Sequence, residues 1–150
     1  MYIGIGCDHR GFTLKKSLLQ VISDEGHQYK DMGCSDTTSI DYPDVAIEVA
    51  TQVANHTYDR GILICSTGVG MSMAANKVAG IRAALCHNIF TARRSREHND
   101  ANVLCLGTDV IGEYLAHEMV REFLLRDFDG SSPAGERHSR RIDKIMSLER

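Results

Sequence analysis

The sequence predicts an α/β protein with a three-layer, Rossmann-like or flavodoxin-like, doubly wound five-stranded parallel sheet. Short apolar runs rich in β-branched residues alternate along the chain with longer segments whose apolar residues recur at helical spacing. A length of 150 residues, of which 43% are hydrophobic and 25% charged, suits one globular domain. We therefore expect a single domain over residues 1–150, with helices on both faces of the sheet.

Five strands and the helices between them follow from these patterns in chain order. Strands are expected at residues 2–7, 28–32, 61–65, 82–86 and 103–106. Helices are expected at 11–25, 89–97 and 111–125. Two further helices are expected to begin at residues 41–43 and at Gly70. Pro43 fits the first turn of the second helix, where its missing N–H costs nothing. Strands that alternate with helices in this way pair in parallel.

The apolar faces of three helices can be assigned from their spacing. The residues expected to point inward are Leu14, Leu18, Val21 and Ile22 in the first helix, Val45, Ile47, Val49, Ala50 and Val53 in the second, and Leu115, Met119, Val120 and Phe123 in the last of the series. These faces are expected to cover the sheet.

The C-terminal segment departs from the alternation. Residues 126–137 are rich in turn formers, and a basic helix is expected at 139–148. A segment with so little apolar content gains most stability by lying on another subunit. We therefore expect residues 126–150 to form an arm that contacts a partner chain in a homodimer.

Composition excludes several classes of partner. A net charge of −3, with no basic stripe before the last dozen residues, gives no reason to expect nucleic acid. The chain has no basic-then-apolar leader and no apolar run near the roughly 20 residues of a membrane span, so a cytoplasmic location is expected. Five cysteines without a C-x-x-C pair indicate neither a disulfide framework nor a zinc knuckle. The seven histidines show no metal-binding spacing, so no metal is expected.

The segment 60–77 is the strongest candidate for chemistry. Its strand ends at Cys65, which places a thiol at the carboxyl end of the sheet, where open α/β sheets bind ligands. The turn that follows carries hydroxyl side chains and glycines and leads into the first turn of a helix, whose backbone amides can bind an anion. The residues of this turn are Ser66, Thr67, Gly68, Val69, Gly70, Met71 and Ser72. The alternative is that the cysteine only packs in the core and the glycines only end the strand.

Three familiar anion sites do not fit this segment. A dinucleotide site would need a third glycine and an acidic residue after the strand at 82–86. An ATP loop would need Gly-Lys-Ser/Thr, and Lys77 lies too far along. A cysteine phosphatase would need an arginine where Met71 stands. NAD, ATP and phosphoryl transfer through cysteine are therefore disfavoured.

Three further polar clusters lie at loop positions that the sheet is expected to bring together. Asp8 and His9 follow the first strand, although Asp8 could equally cap the next helix. His98 and Asn99 precede the last strand, where they could instead form a helix C-terminal cap.

The third cluster is basic. Arg137 and Arg141 share a helical face and fit a phosphate, although solvated charges on a surface helix are the default.

These features together resemble the type B ribose-5-phosphate isomerases and the related galactose-6-phosphate isomerases. The similar segments span nearly the whole chain: 6–12, 41–43, 64–77, 80–83, 95–103, and Arg137, His138 and Arg141. The resemblance implies interconversion of ribose 5-phosphate and ribulose 5-phosphate through an enediolate, as in the pentose phosphate pathway. It implies no cofactor and no metal.

The resemblance also implies roles for the candidate residues. Cys65 would be the base at C2, Thr67 would assist proton transfer, and the turn amides would stabilise the enediolate. His98 would open the sugar ring, while Asp8 would hold sugar hydroxyls and Asn99 the enediolate. The phosphate would be bound by His9, Arg137 and Arg141. The family's sites are shared between the subunits of a homodimer, which can pair further into a tetramer.

The chain departs from the family pattern at three positions. Ser66 and Glu136 replace glycines, and Asp109 stands where many members place a phosphate-binding arginine. Two other functions therefore stay open: a hexose-6-phosphate isomerase of the allose or galactose type, and a non-catalytic phosphate-binding module.

Overall fold

The computed structural model describes residues 1–149, which form one five-stranded parallel sheet with helices on both faces. The strands are β1 (Tyr2–Cys7), β2 (Gln28–Gly33), β3 (Arg60–Cys65), β4 (Ala83–Leu85) and β5 (Val103–Gly107). The helices are α1 (Phe12–Asp24), α2 (Tyr42–Ala54), α3 (Val69–Ala75), α4 (Ile89–Asn99), α5 (Glu113–Leu125) and α6 (Glu136–Met146). This confirms the predicted fold class.

The strand order is β2-β1-β3-β5-β4. The chain adds β2 on one side of β1 and then crosses to place β3 on the other side. The crevice at the carboxyl ends of β1 and β3 is therefore the topological switch point, where sheets of this type bind ligands. Because β3 lies between β1 and β5, the loops that follow β1, β3 and β5 meet at this crevice.

Two buried clusters of apolar side chains fill the space between the sheet and the helices. One packs α1, α4 and α5 against the face of the sheet that carries Ile3, Ile5, Ile62 and Ile64. The other packs α2 and α3 against the opposite face. Gly6 of β1 allows the close approach of α2, because a Cβ there would lie 2.7 Å from Val45 Cγ1. The sheet is thus the middle of three layers, with a buried apolar cluster on each of its faces.

Most of the predicted inward-facing residues are buried, with one clear error. Ile47 is 47% exposed, whereas its neighbour Ala46 is fully buried. The buried residues of α2 follow positions 45, 46, 49, 50 and 53, and the helical period turns position 47 to the outer face. The prediction was wrong because it followed hydrophobicity at that position rather than the period.

Lys15 is a polar residue in the core that the sequence analysis did not anticipate. Its side chain is 1% exposed, and its ammonium donates to the carbonyls of Met32 at 3.0 Å and Cys34 at 2.7 Å. An ion pair with Asp31 completes its partners. A buried charge is tolerated only when it is paired and hydrogen-bonded in this way. Lys15 thereby ties α1 to the carboxyl end of β2.

The C-terminal arm begins after α5 with two short 3₁₀ turns, Asp129–Ser131 and Pro133–Gly135, before α6. Helix α6 begins three residues earlier than the sequence predicted, at Glu136. Residue 150, the last of the expected arm, lies outside the described part of the chain. Over residues 1–149, no helix combines the length and apolar character that crossing a bilayer requires.

Candidate active site

The turn after β3 places the Cys65 thiol against backbone amides. Gly68 adopts a left-handed conformation with φ of +76°, which favours glycine, and α3 begins at Val69. The turn curls back so that the Gly68 N–H donates to Cys65 Sγ at 3.1 Å. Cys65 is 6% exposed, so its sulfur is largely shielded from water while it accepts this hydrogen bond. The sulfur is therefore held by a backbone donor at the carboxyl end of β3.

The first turn of α3 presents fewer free amides than the sequence suggested. The Val69 N–H donates to Thr67 Oγ1 at 3.3 Å, and the Ser72 N–H donates to the Gly68 carbonyl at 3.0 Å. Helix geometry leaves the N–H groups of Gly70 and Met71 without partners in their own helix. Gly70 and Met71 are therefore the donors best placed for an oxyanion, whereas the Ser72 amide is already used.

Tyr42 forms a wall of the same turn. A Cβ on Gly70 would lie 2.5 Å from Tyr42 Cζ and 2.9 Å from its hydroxyl oxygen, so the phenol ring packs directly on the Gly70 backbone. The ring is 39% exposed. The sequence pattern predicts only a helix start at Tyr42, although this residue belongs to one of the segments that carry the resemblance.

The loop after β1 lies beside this turn. The Asp8 N–H donates to the Ile64 carbonyl at 3.2 Å, which fixes the loop against β3. Asp8 Oδ1 accepts from the N–H groups of Arg10 at 2.9 Å and Gly11 at 3.1 Å, so it closes the loop that leads into α1. The alternative that Asp8 caps the helix itself is wrong, because the N-cap of α1 is Gly11 and no side chain caps it. The second carboxylate oxygen of Asp8 is left for other partners. His9 Nδ1 is buried and has no hydrogen-bond partner among residues 1–149.

The loop after β5 reaches the turn from the other side. The Thr108 N–H donates to the Cys65 carbonyl at 3.0 Å, and the Asp109 N–H donates to the Ser66 carbonyl at 2.9 Å. Arg10 Nη2 donates to both carboxylate oxygens of Asp109 at 3.1 Å. The carboxylate that departs from the family pattern is therefore paired with a guanidinium, a partner that the sequence analysis missed.

His98 and Asn99 lie at the opposite edge of the sheet from Cys65. Helix α4 runs antiparallel to the strands, so its last turn ends beside their amino ends. Asn102, just beyond that turn, donates its N–H to the Arg82 carbonyl at 3.2 Å and accepts from the Gly61 N–H at 2.8 Å. The length of a strand, about 17–20 Å, thus separates His98 from Cys65 within one chain.

The expectation that the sheet brings all the polar clusters together was therefore wrong for one chain. Residues that follow a strand and residues that precede one emerge at opposite edges of a parallel sheet. Asp8 and His9 follow β1 and join Cys65, whereas His98 and Asn99 precede β5 and do not.

The second cluster centres on two stacked histidines. The rings of His98 and His138 lie 4.2 Å apart between centroids with an interplanar angle of 13°. Arg94 Nη1 lies 3.1 Å from His98 Nε2. Burial, the neighbouring His98 and the two arginines Arg137 and Arg141 lower the pKa of His138 below its ordinary value. The stack joins α6 of the arm to α4.

The two arginines of the arm are exposed beside this stack. Arg137 donates to the Ala134 carbonyl at 2.8 Å, and Arg141 lies one turn further along α6. Both guanidinium groups are therefore accessible to an anion that approaches the amino edge of the sheet.

One set of side chains has the spacing of a metal site. Ligand atoms of Glu97, His98 and Asp129 lie within 4.8 Å of one another. The Glu97 carboxylate, however, forms ion pairs with Arg93 at 2.6 Å and Arg94 at 2.8 Å. These cations explain the position of the carboxylate and would oppose a further cation at the same oxygens.

Known proteins share this architecture over nearly their whole length. A family model described as Ribose/Galactose Isomerase matches residues 3–145. Ribose-5-phosphate isomerase B of Escherichia coli is 44% identical over 147 residues, which cover 98% of this chain and 95% of that protein.

Solved structures agree with the sequence comparison. Ribose-5-phosphate isomerase B of Clostridium thermocellum superimposes with a TM-score of 0.93 at 47% identity, covering 99% of this chain and 97% of the other. The enzyme of Mycoplasma genitalium, solved with bound ribulose 5-phosphate, gives 0.91 at 42% identity and covers 99% and 95% of the two chains.

Proposed function

Because the chain belongs to the ribose/galactose isomerase family, we propose that it interconverts ribose 5-phosphate and ribulose 5-phosphate through an enediolate. The observation that carries the proposal is the Cys65 sulfur, held by the Gly68 amide at the switch point beside Asp8. Relatives that carry the name ribose-5-phosphate isomerase B cover nearly the whole chain. The Mycoplasma genitalium relative, with its bound ribulose 5-phosphate, supports a pentose phosphate as substrate.

The chemistry requires a base, an oxyanion site and a proton relay. In the proposed reaction, the Cys65 thiolate removes the proton from C2 of the open-chain aldose, and the electron pair forms the C1–C2 double bond of the enediolate. The amides of Gly70 and Met71 stabilise the negative charge that develops on oxygen, and loss of one such donor costs about 3 kcal/mol. Thr67 moves a proton between the two oxygens. Return of the proton to C1 gives the ketose.

The other candidate residues bind and open the sugar. Asp8 holds sugar hydroxyls with its second carboxylate oxygen, and His9 contacts the phosphate. His98 opens the furanose ring and Asn99 contacts the enediolate. Ser66 and Val69 line the turn, and Arg137 and Arg141 supply positive charge for the phosphate.

The separation of these residues requires a second subunit. A single chain holds Cys65 and Asp8 at the carboxyl edge of the sheet and His98 at the amino edge. We propose a homodimer in which the α4 and arm residues of one chain complete the site of the other. Val69 and Met73, which are 45% and 64% exposed on α3, support an interface next to the thiol. Residues 126–149 would lie within that interface.

We also propose a cytosolic location. All five cysteines are free and buried, and a catalytic thiol stays active in a reducing compartment.

Turnover by the Cys65→Ala variant tests the proposal directly. If the thiol is the base, the variant loses turnover by about 100-fold or more while still binding the sugar phosphate. The appearance of ribulose 5-phosphate from ribose 5-phosphate is the measurement. Cys86→Ala, which removes another buried thiol, serves as the matched control and should keep turnover near that of the wild type.

The same assay separates the competing functions. A preference for allose 6-phosphate or galactose 6-phosphate would indicate a hexose phosphate isomerase. Release of inorganic phosphate would indicate a thiol phosphatase. Binding of ribose 5-phosphate without any turnover in the wild-type protein would indicate a non-catalytic module.

A further inference from the structure

The Arg10–Asp109 ion pair spans the candidate active site. Arg10 belongs to the loop after β1, and Asp109 belongs to the loop after β5. Because β3 lies between these strands, the two loops start about 10 Å apart and on either side of Cys65. The contact of the guanidinium with both carboxylate oxygens at 3.1 Å therefore crosses the carboxyl end of β3.

The side chains of Arg10 and Asp109 differ in how far they can move. The backbone of Asp109 is fixed by its N–H bond to the Ser66 carbonyl. The pKa of the Asp109 carboxyl is lowered mainly by Arg10, and the hydroxyls of Ser66 and Thr108 lower it further. The two side chains are similarly exposed, at 56% for Arg10 and 47% for Asp109, and the Arg10 N–H is itself bonded to Asp8 Oδ1. The difference lies in side-chain length, because the Asp109 carboxylate is one methylene away from its anchored backbone, whereas the Arg10 guanidinium ends a long side chain with many rotamers and can move further.

The Asp109 carboxylate can readily be replaced by another anion as the partner of Arg10. Ion pairs at such exposure contribute little stability, because water solvates both charges when they separate. A phosphate dianion offers a guanidinium more charge and more acceptor oxygens than a carboxylate does. Next to Arg10, the His9 Nδ1 is a buried polar atom that finds no hydrogen-bond partner in the described part of the chain.

We propose that Arg10 binds the phosphate group of the substrate, and that Asp109 competes for Arg10 within the chain and holds it across the site until the phosphate displaces it. The proposal rests on the proposed function, since it assigns further residues to the same site. Asp109 then sets the affinity for the phosphorylated substrate without touching the reacting carbons.

The Asp109→Asn variant gives the decisive result. Freed from its competitor, Arg10 should lower the KM for ribose 5-phosphate and the inhibition constant of inorganic phosphate, each by about 2- to 5-fold. The kcat should stay within about twofold, because the change alters binding in the ground state and transition state alike. An unchanged or higher KM would overturn the proposal.

Substitutions of Arg10 supply the complementary test. Arg10→Gln should raise KM about tenfold or more, since a charged hydrogen-bond donor to the phosphate is lost. Arg10→Lys, which keeps the charge, should lose less. In the Arg10→Gln background, Asp109→Asn should give no further gain. An equal gain in both backgrounds would show that Asp109 acts on some group other than Arg10, and would overturn the proposal.

A matched control removes a carboxylate from another exposed ion pair. Glu118 pairs with Arg121 on α5, away from the strand ends, and Glu118→Gln should leave KM unchanged. A fall in KM for this variant equal to that of Asp109→Asn would show a general effect of net charge and would contradict the proposal.

Calorimetric titration with inorganic phosphate separates this proposal from the proposed function. If the wild-type protein lacks isomerase activity, the proposed function fails. Tighter phosphate binding by Asp109→Asn than by the wild type would still support the ion-pair proposal, and equal binding would overturn it.

Discussion

At the scale of single residues, the site depends on a backbone conformation as much as on a side chain. The Cys65 sulfur is positioned for chemistry because Gly68 turns its own N–H back onto it. The same turn fixes where the Gly70 and Met71 amides point. A side chain at position 68 would meet Leu85 Cδ1 at 2.5 Å and the Leu106 carbonyl carbon at 3.0 Å, so the glycine is required sterically as well.

Gly68→Ala should therefore harm both catalysis and stability. Left-handed strain and the contacts of the new Cβ should destabilise the fold by about 1–3 kcal/mol. Turnover should fall by about tenfold or more, because displacement of the turn moves the oxyanion donors. Thermal unfolding and steady-state kinetics measure the two effects.

Gly80→Ala provides the matched control. Gly80 also has a positive φ, of +85°, but a Cβ there would find only Ala54 Cβ at 3.8 Å. The variant should lose similar stability to strain and keep its turnover. If Gly68→Ala retained full turnover too, the assigned role of the turn amides would be wrong.

At the scale of elements, the stack of His138 on His98 is one of the contacts that attach the arm to the body, beside the bond from the Gly80 N–H to Glu149. Burial and the nearby positive groups lower the pKa of His138, so the folded protein binds a proton at this ring less readily than the unfolded chain does. As pH falls below about 6.5, a histidine in the unfolded chain binds a proton that folded His138 does not. The unfolded state then binds more protons, and stability falls with pH.

His138→Asn should reduce this loss of stability in acid. The wild-type melting temperature should fall between pH 7 and pH 5.5 more steeply than that of the variant. His56→Asn is the matched control, since His56 is exposed and its φ of +62° suits asparagine. Equal slopes for His138→Asn and the wild type would show that another group controls the acid sensitivity.

At the scale of the whole molecule, the fold could be predicted because its pattern is local. The period of apolar residues placed all five strands within one or two residues of their observed ends. The placement of Asp8 beside the end of β3 also followed, since Asp8 and Cys65 both lie at the carboxyl ends of central strands. Ile47 was assigned wrongly because hydrophobicity alone does not show which way a helix turns a residue.

The complete site could not be predicted from the sequence of one chain. Residues that follow a strand lie at the carboxyl edge of the sheet, and this rule placed Asp8. The same rule could have placed His98 at the amino edge, because His98 precedes β5. The Arg10–Asp109 contact depends on where a long arginine side chain meets a carboxylate from a loop two strands away, and no local pattern contains that information. How two chains assemble likewise depends on surface shape rather than on periodicity.

The most direct test of the account is complementation between two inactive variants. Cys65→Ala and His98→Gln should each be inactive alone. When the subunits of both are mixed and exchanged, half of the dimers carry one intact site of two, so about a quarter of wild-type activity should return. Failure of the mixture to exceed its separate components, with subunit exchange verified, would contradict a site built from the thiol of one chain and the histidine of its partner.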